Sequence, residues 1–169
     1  MTTAAYIPAR SRSTRLPGKN LREVGGVPLV TRAAQVALQA KRLSLVNRVV
    51  ADLDEAETER ALPAAIEVRY RPLSLRRPET RVIDLVRGWL QDANDRPDLV
   101  AVLLPTSPLR TARHLVESRL LLDDAADGVM SVTPFRQDVA YALREDEGFL
   151  RRQFSSARGG GLPCLKHDG

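Results

Sequence analysis

The stretch that decides the fold runs from Ala4 to Asn20 and reads A-A-Y-I-P-A-R-S-R-S-T-R-L-P-G-K-N. Ala4 to Ile7 is a short apolar run of strand character. The segment from Ile7 to Asn20 that follows it is rich in small, polar and basic residues and carries the turn formers Pro17 and Gly18. In an open parallel sheet, ligands bind outside the carboxyl ends of the strands, so a loop in this place is where a binding site is expected.

Short apolar runs recur at Arg48 to Ala51, Ile66 to Tyr70, Leu99 to Leu104 and Gly128 to Thr133, with stretches of helical spacing between them. That alternation predicts an α/β fold with a largely parallel sheet. Pro28 suits the first turn of a helix over Leu29 to Gln39, and Asp54 is a candidate cap for a helix over Glu55 to Leu62. Glu79 to Leu90 repeats Val82, Leu85, Val86 and Trp89 on one face, which assigns Trp89 to the core. Thr111 is a candidate cap for Ala112 to Leu122. After Thr133 the pattern weakens. Val139 to Leu143 and Gly148 to Phe154 suggest a hairpin at the sheet's edge, and the tail from Ser155 carries three glycines, Gly159 to Gly161.

A chain of 169 residues, 43% hydrophobic, suffices for one ordinary core. A single domain is expected over residues 1–169, with 155–169 a flexible or truncated tail. There is no run of about eighteen apolar residues, and Met1 to Tyr6 lacks the apolar core of a signal peptide. A soluble, cytoplasmic protein with no membrane partner is therefore expected. Cys164 is the lone cysteine, and His114 and His167 are the only histidines, so no disulfide framework or zinc spacing exists and Cys164 reads as an idle thiol.

The net charge of +5 comes from 26 basic residues, of which only Lys19, Lys41 and Lys166 are lysines. Arginine dominance suits bidentate recognition of phosphate or carboxylate, or else reflects codon usage. The arginines are scattered from Arg10 to Arg158 without a dense block, and aromatics make up 4% of the chain, which argues against a nucleic-acid partner.

Within Ile7 to Asn20, Arg10, Arg12, Arg15 and Lys19 alternate with Ser11, Ser13 and Thr14. Small residues with exposed amides among several cations suit a polyphosphate cradle, the alternative being a solvated basic turn. The loop is not a Walker A motif: Asn20 follows Gly18-Lys19 where Ser or Thr is required, and position 13 is Ser instead of Gly.

The same loop closely resembles the signature of the CMP-sugar synthetases, that is, the acylneuraminate cytidylyltransferases and their relatives that activate 3-deoxy-manno-octulosonate. Arg10, Ser13, Leu16, Pro17, Lys19 and Asn20 match A-R-x-x-S-x-x-L-P-x-K-N, and Ser13 to Lys19 reproduces S-T-R-L-P-G-K. Gly25 to Leu29 is similar to the family's G-G-x-P-L, Arg71-Pro72 to its R-P after the third strand, and Leu104 to Arg110 to its Q-P-T-S-P-L-R. The resemblance implies a doubly wound, mostly parallel, Rossmann-like nucleotidyltransferase fold, CTP as nucleotide, a small acidic acceptor and Mg²⁺. It implies that Arg10 and Lys19 stabilise charge on the α-phosphate and the leaving pyrophosphate. Loop amides around Ala9 and Ser11, with Ser13, Asn20 and Arg71, would hold the nucleotide. Thr106, Ser107 and Arg110 would face the acceptor, with helix capping as the other reading of Arg110. The family's dimerisation segment raises a homodimer.

The chain departs from the family pattern in several places. Ala51-Asp52-Leu53-Asp54 stands where S-T-D is usual, so Asp54 either replaces that carboxylate after a one-residue shift or caps a helix. Leu104 and Gly160 stand where the family has Gln, and no counterpart of its late D-x-D metal site precedes Gly169. Metal ligands are thus unassigned. The other readings are a sugar-phosphate nucleotidyltransferase using another nucleotide, a nucleotide-binding pseudoenzyme or regulatory partner, and, more remotely, a nucleic-acid-binding module.

Overall fold

The computed structural model describes residues 1–11, 13, 16–93, 96–123 and 126–133, and the backbone of 134, 143–146, 149–152 and 165–167. These fall into two compact units, Met1–Asp123 and Asp124–Gly169.

The first unit opens with β1 (Thr3–Ala9), whose alternate side chains go to opposite faces. A two-stranded ribbon follows, β2 (Glu23–Val24) and β3 (Val27–Pro28). Its turn residues Gly25 and Gly26 have φ of 58° and 71°. Two consecutive left-handed residues are what a two-residue hairpin turn needs, and glycine alone takes them without strain. The ribbon delivers Pro28 to the start of α1 (Leu29–Arg42), so the proline ends one element immediately before the next. Next come β4 (Arg48–Leu53), a 3-10 segment over Ala56–Ala61, β5 (Glu67–Tyr70), α2 (Val82–Asp92), β6 (Leu99–Val102) and α3 (Ala112–Leu120).

The strands form one parallel sheet in the order β5-β4-β1-β6. Ala5, Ile7 and Ala9 of β1 pack with Ala51 and Leu53 of β4 against α1. Ala4 and Tyr6 pack with Val50 against Leu85, Val86 and Trp89 of α2. Helices on both faces of a parallel sheet make the doubly wound α/β arrangement that the resemblance implies. Trp89 is 3% exposed and stacks on Tyr6 with ring centroids 5.1 Å apart, which settles its place in the core.

The face of α1 toward the sheet is nearly all alanine: Ala33, Ala34, Ala37 and Ala40 are buried. So small a side chain lets the helix lie close on the strands and leaves no room for a larger one. Ala37→Leu is therefore expected to cost about 1–3 kcal/mol by overpacking, read as a lowered urea midpoint at unchanged slope.

Chain order and spatial order together locate the site. From β1 the chain moves outward through β4 to β5, then α2 carries it back across to β6 on the other side of β1. The reversal parts the loops after β1 and β6 at the carboxyl ends of adjacent strands, and such a crevice is the ligand position in open parallel sheets.

In the second unit β7 (Val132–Pro134) pairs antiparallel with a later strand, Leu165–His167. β8 (Leu143–Asp146) and β9 (Phe149–Arg152) pair antiparallel with each other as a two-stranded sheet. The hairpin expected from the sequence is thus present with its first strand set later, while 139–142 lie outside the described residues, as do Gly159 to Gly161, Cys164 and Asp168. No described helix is long and apolar enough to cross a membrane.

Candidate active site

At the carboxyl end of β1 three consecutive residues have a backbone group held by a side chain from elsewhere. The carbonyl of Ala9 accepts from Arg71 Nη2 at 3.1 Å. The carbonyl of Arg10 accepts from Asn20 Nδ2 at 2.9 Å. The N–H of Ser11 donates to Asp54 Oδ1 at 2.8 Å, and the Ser11 hydroxyl donates to the same oxygen at 3.0 Å. The loop then closes on itself. Leu16 N–H reaches Ser13 Oγ at 3.4 Å, Lys19 N–H donates to the Leu16 carbonyl at 3.1 Å, and Gly18, at φ 63°, starts the 3-10 turn Lys19–Leu21. Arg12, Thr14 and Arg15 lie outside the described residues.

The two cations expected to meet phosphate differ in their engagement. Arg10 is half-buried and its Nη2 donates to the Arg77 carbonyl at 2.9 Å, an exposed bond that ties the loop after β1 to the loop after β5. Lys19 is half-buried, and among the described residues no carboxylate forms an ion pair with its ammonium.

Arg71 is 1% exposed, and its guanidinium is turned into the protein. Nε meets Asp52 Oδ1 at 2.7 Å, while Nη2 donates to the carbonyls of Ala9 and Asp52. Asp52 is fully buried; its Oδ2 accepts from Arg69 Nη1 at 2.6 Å and from the Tyr6 hydroxyl. Burial pushes the Tyr6 phenol up, and its bond to the Asp52 carboxylate pushes it further. Arg69 is shared with Asp92, at 2.7 Å. One buried carboxylate between two arginines thus fastens the ends of β1, β4 and β5 together.

The loop after β6 is a pair of tight turns: Ser107 N–H donates to the Leu104 carbonyl at 3.2 Å and Arg110 N–H to the Ser107 carbonyl at 3.2 Å. Thr106, Ser107 and Arg110 are all half-buried here, and Arg110 Nη1 lies 3.3 Å from the Leu104 carbonyl. The start of α3 is capped by Thr111, whose N–H and hydroxyl lie 3.0 and 2.8 Å from His114 Nδ1. Asp54 likewise caps no helix. The segment after it is a 3-10 helix led by Glu55, and the Asp54 carboxylate goes to Ser11 instead.

The same contacts bear on the metal. Both oxygens of Asp52 are occupied by arginine and tyrosine donors, Oδ1 of Asp54 by Ser11, and among the described residues no three His, Cys, Asp or Glu side chains converge.

Sequence reading missed Asp54 and Thr58 as partners of the loop. The available signal was the A-D-L-D departure itself, which put a second carboxylate just past the strand end. It also missed Arg77, which contributes through a main-chain carbonyl that no side-chain identity reports.

Comparison with known proteins places this site in context. A family model described as Cytidylyltransferase matches residues 4–145. The N-acylneuraminate cytidylyltransferase of Streptococcus agalactiae serotype V is 27% identical over 151 residues, covering 88% of this chain and 36% of the relative. The CMP-N,N'-diacetyllegionaminic acid synthase of Legionella pneumophila is 34% identical over 147 residues, covering 79% and 59%. The chain thus spans about a third to three-fifths of the length of these curated relatives. A solved CMP:2-keto-3-deoxy-manno-octonic acid synthetase, complexed with CTP, superposes with a TM-score of 0.60 at 24% identity over 79% of this chain and 52% of that one, a likeness of fold. With the family model running unbroken from β1 through the loop of arginines and serines and past the switch point to β8, this chain belongs to the cytidylyltransferase family.

Proposed function

We propose that this chain moves CMP from CTP to an acidic, sugar-like acceptor and releases pyrophosphate. The observation that carries the proposal is the loop after β1: its backbone is held at Ala9, Arg10 and Ser11, while Arg10 and Lys19 keep their charge uncommitted to any described carboxylate. An acceptor oxygen attacks the α-phosphorus, the bond to the bridging oxygen of the β-phosphate breaks, and pyrophosphate leaves with the electron pair. Such transfer is mostly positioning and charge stabilisation. Arg10 exchanges its exposed bond to a neutral carbonyl for one to phosphate, in which donor and acceptor are both charged. Lys19 neutralises the leaving pyrophosphate, and the Ser13 hydroxyl contributes a further polar contact. Arg71, Asn20 and Ser11 serve the nucleotide through the backbone they hold. Thr106, Ser107 and Arg110 face the acceptor across the switch point, with Arg110 toward its carboxylate.

Thermal unfolding with CTP, ATP, GTP and UTP, each with and without Mg²⁺, tests this. A ligand at a hundred times its Kd stabilises by about 2.7 kcal/mol, or roughly 5–10 °C for a chain of this size. CTP is expected to give that shift and the other three markedly less; equal shifts for all four, or none for CTP, overturn the proposal. Pyrophosphate release with N-acetylneuraminate, 3-deoxy-manno-octulosonate and simple phosphonates then identifies the acceptor.

A further inference from the structure

The N–H of Ser11 and the carbonyl of Arg10 belong to one peptide unit, and that unit is gripped from both sides, by Asp54 and by Asn20. The preceding unit is gripped at the Ala9 carbonyl by Arg71. Peptide units are planar, so fixing the two that flank Arg10 fixes its φ and ψ and with them the direction in which its side chain leaves the backbone. The grips of Arg71 and Asp54 both involve an ionised group and are charge-assisted, and of the two only that of Asp54 is on the peptide unit that follows Arg10.

Behind it stands Thr58. The Ser11 hydroxyl has one hydrogen and gives it to Asp54, so the 2.9 Å contact between Ser11 Oγ and Thr58 Oγ1 is made by Thr58 donating. Asp54 is 5% exposed and Thr58 wholly buried. A carboxylate and a hydroxyl so placed hold one arrangement, because each alternative leaves a buried polar group without its bond.

We propose that Asp54, acting through Ser11 with Thr58 behind it, is a positioning residue that aims Arg10 at the nucleotide phosphates. This rests on the CTP reading above. A loop ordered before binding spares the ligand the cost of ordering it, so the device shows in affinity and in its coupling to Arg10.

The test is a double-mutant cycle in CTP binding by titration calorimetry, with Arg10→Ala, Asp54→Ala and the pair. Asp54→Ala alone is expected to weaken binding about tenfold, and Arg10→Ala to lose much less in that background than in the native chain. Asp54→Asn, which keeps the accepting oxygen, is expected to recover most of the loss. Additive losses overturn the proposal, and so does an asparagine variant as weak as the alanine one, which would mean that the loss does not come from the accepting oxygen's grip on Ser11. Should Asp54→Ala not fold, Thr58→Val takes its place in the cycle, with the same sign expected and additivity again fatal. If the native chain itself shows no CTP binding, the nucleotide reading fails. Hydrogen exchange at the Ser11 amide then decides the positioning alone: at least about tenfold faster in Asp54→Ala but not in Asp54→Asn supports it, and equal rates overturn it.

Discussion

Replacing Lys19 with Ala weakens CTP binding by about 1–3 kcal/mol, a loss of roughly five- to 150-fold, while leaving the protein folded. The backbone around Lys19 is set by bonds that the substitution does not touch: its own N–H to Leu16, Leu21 N–H to Gly18, and the left-handed Gly18 that begins the turn. The side chain is half-buried and leaves no described carboxylate behind when removed, so the stability change should stay within about 0.5 kcal/mol, as for surface substitutions outside special features. On a ligand carrying several negative charges the same ammonium is worth a charge-assisted bond. If it stabilises the departing pyrophosphate more than the bound CTP, turnover falls further, by about a hundredfold, as when one donor is taken from an oxyanion site. Titration calorimetry, urea unfolding and pyrophosphate release on one variant separate these. Equal losses of stability and binding would show that Lys19 is part of the scaffold.

Replacing Asp52 with Ala has the opposite signature: a loss of about 3–5 kcal/mol of stability, a large share of the roughly 5–15 kcal/mol typical of a folded domain. Asp52 is fully buried between Arg71, which is 1% exposed, and Arg69, and it also receives the Tyr6 hydroxyl. Removing the carboxylate leaves the Arg71 guanidinium charged in the interior with only carbonyls to answer it. Arg69 suffers less, because it keeps Asp92, whose side chain is 65% exposed. The effect is read as a lowered urea midpoint, and as weaker CTP binding in the fraction still folded, since Arg71 also holds the Ala9 carbonyl. A stability loss below about 1 kcal/mol would mean that water or another acceptor reaches Arg71 and that the pair does not fasten the strand ends.

The contrast between Lys19 and Asp52 shows how unevenly the site could be read. Arg10 and Lys19 were legible as cations on a loop after a strand because charge and the position of a loop are both local properties of the sequence. Trp89 was legible as core from its spacing with Leu85 and Val86. Asp54 was open to two readings, and the structure supplies a third, as the acceptor for Ser11, since a strand-end carboxylate can serve a helix or a loop according to which lies nearer. The segment after it became a 3-10 helix under Glu55, and its apolar spacing could not distinguish that from an α-helix.

By itself the sequence determined the alternation of strands and helices, the parallel sheet, the place of the basic loop after β1 and the membership those motifs carry. Each is encoded within windows of a few residues, by periodicity, turn formers and local motif, and needs no knowledge of what lies across the fold. Only the tertiary structure decided which polar side chains turn toward the protein and which stay available to a ligand. Ser11 is bonded to Asp54, 43 residues away, and Arg71 to Ala9, 62 residues away. Those meetings depend on the order β5-β4-β1 and on a register that sets Ala9 beside Leu53 and Leu53 beside Tyr70. A buried polar group must find its partner wherever the register brings one, and register is fixed by the packing of whole strands.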